Sequence, residues 1–514
     1  MSNFINQFNK VSSLSTTEKG AISYKTSNLN NNLVAALYTI SQYRDVQNAH
    51  RFESIVHFQH ALTDNNLHDY CIRFALMVRD IECGAGERGL GRELLKNIFD
   101  SIELSEAQIG SIINKLVDEN VGRWDDVIYL AENCDKPLVQ NILNDRIVDQ
   151  LKSDIGASTD ERISLLGKWM PSINAGKQSR VLAIKWANKL KMTYSQYRKT
   201  LVRLRNKIDI VESKITSNRY DQINYSAVPS LAFSRYINTF RKHDGSRFKA
   251  FIQQVQQNHA KINTSTNSVA ELVNLYSNNR YNQEVNNIIN TMWNNWNVQQ
   301  FNRNVLPICD VSGSMVGNKV GKLSCLDVSV GLSIYASQAN KGIFHNKIIA
   351  FSRHSDVISL NDQQSFTDKI KQITAYSGFN TNLELVLENV LQIAIRGKCT
   401  ADEIPTLVFF SDMEYDEAFV RNFKHCGTVN FESNEMEALF DQMSERYRSY
   451  GYELPKLVFW NIDNRSATIP KIENDRGLIL VSGYSENLVS MIFSDQMDPW
   501  NTLKEQLDNP RYAI

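Results

Sequence analysis

Residues 308–314 read ICDVSGS, so that Asp310, Ser312 and Ser314 stand at alternate positions directly after an apolar run. Further along, Thr381 lies in SGFNTNLEL, just ahead of a helical pattern, and Asp412 ends the run TLVFFSD. Together these are two carboxylates and three hydroxyls, all hard oxygen donors, with no His or Cys among them. Such a set suits Mg²⁺ or Mn²⁺, which take about six oxygens and often keep waters, rather than Zn²⁺. If some of the side chains bind only through water, one coordination position stays open to an outside ligand. The two aspartates would then balance the charge of the ion. The competing reading is a turn at the end of a strand, with Asp310 capping the next helix.

The elements needed to position these residues are legible after residue 300. Short apolar runs (NVLPICD, NKIIAFS, TLVFFSD, PKLVFWNID, RGLILVSG) alternate with longer amphipathic stretches such as LSCLDVSVGLSIYASQA, NLELVLENVLQIAIR and NEMEALFDQMSERYRSY. Strands apolar on both faces and separated by helices predict a doubly wound parallel sheet covered on both sides. In such sheets ligands bind beyond the carboxyl ends of the strands, at the switch point between oppositely running connections. Asp310, Ser312, Ser314, Thr381 and Asp412 all fall at such ends.

Asp310, Ser312, Ser314, Thr381 and Asp412 match, position by position, the metal-ion-dependent adhesion site of von Willebrand factor A (vWA) domains, and 301–514 resembles such a domain. Upstream, RDIECGAGERGLGRELL, KWMPSINAGKQSRVLA, YRKTLVRLRNKIDIVE and NYSAVPSLAFSRYINTFRKHD resemble the helical half of a family in which a helical domain of unknown function precedes a vWA domain. In the vWA part, SDMEYDEA (411–418) and VFWN through VSGYS (458–485) extend that likeness. The architecture is similar, more distantly, to the Ro autoantigen (TROVE) proteins. This resemblance implies HEAT-like helical repeats that can close into a ring and bind structured or misfolded RNA. It implies Mg²⁺ at the five oxygen donors, and assigns no individual RNA contact.

From Asn31 to about residue 300 apolar residues recur every three or four positions, predicting stacked helix pairs in an irregular all-α solenoid. The expected divisions are a polar segment at 1–30, a helical-repeat domain at 31–256, a solvated Asn-rich helical connector at 257–300, and the α/β domain at 301–514. Asn competes locally with helical backbone, which motivates the connector. Although the 514-residue chain has no net charge, residues 161–260 hold 19 Lys and Arg against 5 Asp and Glu. Lys177, Arg180, Lys185, Lys189, Lys191, Arg198, Lys199, Arg203, Arg205 and Lys207 are the candidate RNA contacts, neutralising phosphates. Trp169, Trp186, Tyr194 and Tyr197 are interleaved with them, and the two tryptophans are expected in the core.

Other signals narrow the class. Gly84, Gly86 and Gly89 spell GxGxxG, but a helical pattern precedes them instead of a strand, so they are expected to form a turn between helices. Arg79, Asp80, Glu87 and Arg88 around them are expected to form ion pairs, with Arg88 a candidate to face a ligand. The seven cysteines lack CxxC spacing, which predicts reduced thiols. Signal-peptide character is missing and no apolar run is long enough to cross a membrane, so the expectation is a cytoplasmic protein without a membrane partner. No HExxH, P-loop or nucleophile-elbow pattern occurs, and His345, His354 and His425 have no nucleophile partner in the pattern; nor is a small-molecule substrate implied. Asp416 and Glu417 fit the first turn of a helix. Two readings remain: a non-catalytic RNA-binding protein with a Mg²⁺-binding scaffold domain, and an adapter whose acidic protein partner completes the metal coordination.

Overall fold

The computed structural model describes the chain apart from residues 1–13, 17–21, 26–30, 159, 209, 265–266, 302, 352–354, 379–382, 414–434, 464–467, 470–477 and 494–497. The chain divides into two compact units. The first comprises Met1–Tyr70, Cys83–Ala85 and Asn267–Asn509; the second comprises Cys71–Glu82, Gly86–Thr266 and Pro510–Ile514.

The second unit is built of helices. Those used below are α1 (Arg88–Ser101), α2 (Trp124–Asn133), α3 (Lys177–Lys189) and α4 (Tyr194–Ile208). In α1, Leu90, Leu94, Leu95, Ile98 and Phe99 are buried, the spacing that puts one face of a helix against a core. Ser105 and Gln108 cap the helix Glu106–Val117 reciprocally, and Pro137 opens Pro137–Gly156, where its missing N–H costs nothing. The glycine motif is a turn between helices, as its context predicts. Gly86 takes a φ of +70°, and a Cβ on Gly91 would lie 2.7 Å from Cβ of Arg79, so α1 can approach that residue only with a bare backbone.

The first unit contains a six-stranded sheet with strands β1 (Val305–Asp310), β2 (Lys347–Phe351), β3 (Ser355–Ser359), β4 (Thr406–Ser411), β5 (Leu457–Asn461) and β6 (Leu478–Ser482). Their order is β6-β5-β4-β1-β2-β3, parallel except for the β2–β3 pair. Five strands coincide with the apolar runs. The sixth, β3, escapes the pattern because Ile358 is its one buried residue, as befits an antiparallel edge strand that lets solvent reach one face. The sheet is therefore mixed, not purely parallel.

The compact units do not follow the expected divisions at 31, 257 and 301. The helix Asn32–Tyr38 belongs with the sheet unit: Leu33 to Tyr38 are all buried, and Asn461 Nδ2 donates to the Tyr38 carbonyl at 2.9 Å. The Asn-rich stretch is not a solvated connector. It forms α5 (Val269–Asn278) and α6 (Gln283–Asn294), which pack into the same unit. Gly331 of α7 (Cys325–Ala339) lets α5 approach, since a Cβ there would meet the Ala270 nitrogen at 3.0 Å. Asn274 and Ser277 donate to Asp327 at 2.8 and 3.1 Å, and Trp293 stacks on Phe366 with ring centroids 4.4 Å apart. The asparagines occupy the remaining helix faces and caps, while Val, Leu, Ile and Trp between them supply the packing. At the other end, Arg511 and Tyr512 bond to Asp80, which places 510–514 with the helical unit.

Candidate functional site

Strand register builds the sheet-rim site. β1 and β4 are neighbours with Cys309 opposite Phe410, which brings Asp310 level with Ser411 at their carboxyl ends. Ser411 Oγ donates to Asp310 Oδ2 at 2.6 Å and the Ser312 N–H donates to Oδ1 at 2.9 Å. The Ser312 and Ser314 hydroxyls are 3.0 Å apart. Asp412 accepts from Asn318 Nδ2 at 3.0 Å, and Asp310, Ser312 and Asp412 are completely buried, with Ser314 half-buried. Met413 then turns the chain off the strand with a φ of +61°, its N–H bonded to Ser411 Oγ at 3.1 Å. Thr381 lies outside the described residues, as do Asp416, Glu417, His354, His425 and Cys426; Gly378, upstream of Thr381, bridges Ser312 in parallel.

The structure thus joins Asp310 to Ser312, and Ser312 to Ser314, and sets Asp310 beside the strand that Asp412 follows. Sequence patterning missed Ser411 and Asn318, which fix the two carboxylates, and buried Asp463, whose Oδ2 lies 4.0 Å from Cys325 Sγ. Asp463 follows β5 much as Asp412 follows β4, so its place after an apolar run was the available signal. Asp310 and Asp412 place two carboxyl groups in a fully buried rim, where the donors named above, a backbone N–H, a serine hydroxyl and an asparagine amide, orient them. Among the described residues no group of three or more His, Cys, Asp and Glu side chains forms a metal cluster. A cation here would draw its further ligands from hydroxyls. His345 is bound to the Asn340 carbonyl and to Asp362, a structural arrangement.

In the helical unit, the ten predicted RNA contacts separate by what they touch. Arg205 donates to the Gly167 carbonyl, Ser172 Oγ and the Met170 carbonyl at 3.0, 2.8 and 2.7 Å, and burial lowers its pKa. Arg203 reaches the Ile155 carbonyl at 2.9 Å, Lys207 donates to the Ala157 and Ser158 carbonyls, and Lys185 pairs with Glu132 at 2.5 Å. Lys189 lies 4.9 Å over the Trp186 ring, and burial, then the Lys185 charge, lowers its pKa. Lys177, Arg180, Lys191, Arg198 and Lys199 are exposed on α3, α4 and the turn between them, and form no ion pair or hydrogen bond among the described residues. Arg198, Lys199 and Val202 of α4 line a groove of about 500 Å³ with Ile173 and Asn174. Trp186 and Tyr197 are buried, which keeps them from stacking on a ligand; Tyr194 is half exposed.

The six described cysteines are free thiols, and among the described residues no helix is long and apolar enough to cross a membrane. Two family models match, both domains of unknown function: DUF2828 over residues 177–312 and DUF7788 over residues 304–509. An uncharacterised protein of Acanthamoeba polyphaga mimivirus is 26% identical over 467 residues, covering 84% of this chain and 78% of its own. The crystal structure of the Ro (RSR) protein of Deinococcus radiodurans aligns with 85% of this chain and 92% of its own, at 11% identity and a TM-score of 0.46.

Proposed function

We propose that this is a non-catalytic RNA-binding protein whose helical unit, in a HEAT-like arrangement, holds single-stranded or structured RNA through α3 and α4. Its sheet unit, vWA-like in this reading, serves as a scaffold holding Mg²⁺ or Mn²⁺. The observation that carries the reading is the set of five exposed cations without an internal partner among the described residues, two of them edging an apolar-floored groove. Cations already held by carbonyls or carboxylates stabilise the protein; unpartnered ones remain available to phosphates, releasing counterions on binding. Asp310, Ser312, Ser314, Thr381 and Asp412 would hold the metal, which would supply a hard Lewis-acidic position open to an oxygen ligand. A partner carboxylate at that position is the second reading, favoured by the burial of both aspartates at the rim.

The test is salt-dependent binding of a single-stranded RNA to the full chain and to Arg198→Gln with Lys199→Gln. Two lost phosphate contacts should lower the log–log salt slope by about 1.4 and weaken binding several-fold at about 0.1 M salt. Arg205→Gln, by contrast, should lower stability and leave the slope unchanged in the folded protein. An unaltered slope in the Arg198/Lys199 variant refutes the assignment of RNA to this face.

A further inference from the structure

The turn after GxGxxG leads into a second cationic cluster that the basic helices do not explain. Asp126, wholly buried at the start of α2, accepts from Arg79 Nε at 2.8 Å, Arg92 Nε at 2.5 Å and its own helix cap, the Arg123 N–H, at 2.8 Å. Asp125 forms an ion pair with Arg92, Oδ2 to Nη2 2.5 Å, with Arg88 Nη1 further off at 3.9 Å. Arg79 and Arg92 therefore take the close contacts of the two carboxylates, leaving Arg88 with only its long pairing to Asp125 and Arg123 with none among the described residues. The Arg123 guanidinium is half-buried, forms no hydrogen bond or ion pair among the described residues, and lies 5.8 Å from the centre of the Trp169 ring. Trp169 also has an orphan donor: its Nε1 is buried with no hydrogen-bond partner. A buried N–H without an acceptor is destabilising, and a half-buried guanidinium without an anion is similarly unfavourable. Consistent with crowding of like charge, burial first and then Arg79, with a smaller share from Arg88, pulls the Arg123 pKa below its ordinary value.

The unpartnered groups of the cluster are mainly donors; of the oxygens of Asp125 and Asp126, Asp125 Oδ1 alone is buried without a hydrogen bond among the described residues. We infer that Arg88 and Arg123, beside the Trp169 indole, form a binding site for a phosphate group. The two guanidinia present planar N–H forks of the kind that bind phosphate oxygens in pairs. Arg88, half exposed, gives the entrance, and Arg123 the deeper contact. Asp125 and Asp126 hold Arg79 and Arg92 in place behind them, so those two charges add to the field without needing to move. This site is separate from the α3–α4 face and does not depend on that face binding RNA.

Inorganic phosphate is the probe, titrated into the full chain at constant ionic strength with chloride as the control anion, and thermal unfolding is followed. Phosphate should raise the midpoint in the wild-type chain and equally in the Arg198→Gln/Lys199→Gln variant. Arg123→Gln or Arg88→Gln should each weaken the apparent affinity about tenfold, and the double variant should lose the response, while Arg123→Lys retains part of it. No phosphate-specific shift in the wild type, or an undiminished shift in the double variant, overturns the site. A lower midpoint in Arg123→Gln with the phosphate response intact would also overturn it, because Arg123 would then only pack on Trp169. Competition by a 5′-phosphorylated oligonucleotide distinguishes the source. If the oligonucleotide displaces phosphate and its own affinity falls in the double variant, the group belongs to a nucleic acid. If only small phosphates compete, the site serves a free phosphate compound.

Discussion

Asp126 and Asp80 of the helical unit are held by a different kind of donor from the buried acids of the sheet unit. In the helical unit Asp126 is held by Arg79 and Arg92, and Asp80 by Arg511, whereas buried Asp154 accepts from Gln150 Nε2 and from the Ser164 N–H and hydroxyl. In the sheet unit Asp310 accepts from Ser312 and Ser411, Asp412 from Asn318, and Glu486 from the Val269 N–H, all neutral donors. An ion pair fixes structure and is costly to open, since removing one partner strands the other in low dielectric. A carboxylate oriented by neutral donors keeps the capacity to take a proton or a cation. Asp126 and Asp80 thus serve architecture, while a carboxyl oriented by neutral donors is one that a proton or cation can still neutralise.

The most damaging test of that contrast is Asp126→Ala, which leaves Arg79 and Arg92 facing each other. It should destabilise the chain by about 3–5 kcal/mol, read from denaturant unfolding; a loss under about 1 kcal/mol would mean the pairing is not structural. Next comes Glu486, which burial pushes up to about 8. Because that folded value lies above the ordinary one of 4.5, between the two the folded chain keeps a proton that the unfolded chain has released. Stability from this group is whole below about pH 4 and declines as pH rises toward 8. Glu486→Gln should remove that decline and gain on the wild type by about 4 kcal/mol between pH 4 and pH 8, on the scale of 1.36 kcal/mol per pKa unit. Parallel pH profiles for the two proteins would show that Glu486 does not titrate in this way.

A smaller effect is expected at the rim. Mg²⁺ at about 100 times its dissociation constant should stabilise the wild-type chain by about 2.7 kcal/mol, reversibly on chelation. Asp310→Asn and Asp412→Asn should abolish the response, while Asp463→Asn tests whether the third buried acid shares in it. A Mg²⁺ response that survives in both of the first two variants would place the ion elsewhere.

How far the sequence alone reached differs between the units for a related reason. Asp310, Ser312 and Ser314 were identifiable because a strand and the loop after it keep alternate residues together, whatever else the chain does. Ser411 sits beside Asp310 only because β1 and β4 pair in one register, and Asn318 reaches Asp412 from 94 positions away. The basic stretch was visible as composition, but composition could not separate Arg198 and Lys199, which are exposed, from Arg205, which spans three acceptors of the 167–172 turn. The asparagines of 257–300 misled in the same way, since the apolar residues between them decide the packing.

The sequence by itself determined the helices, five of the six strands and the oxygen donors on the first strand's end, because periodicity and strand-end position are local properties of the chain. Tertiary structure alone decided that residues 31–70 join the sheet unit, that β3 closes its edge antiparallel, and which cations are already partnered. Those outcomes depend on which distant groups come within hydrogen-bonding reach, and no spacing along the chain encodes that distance.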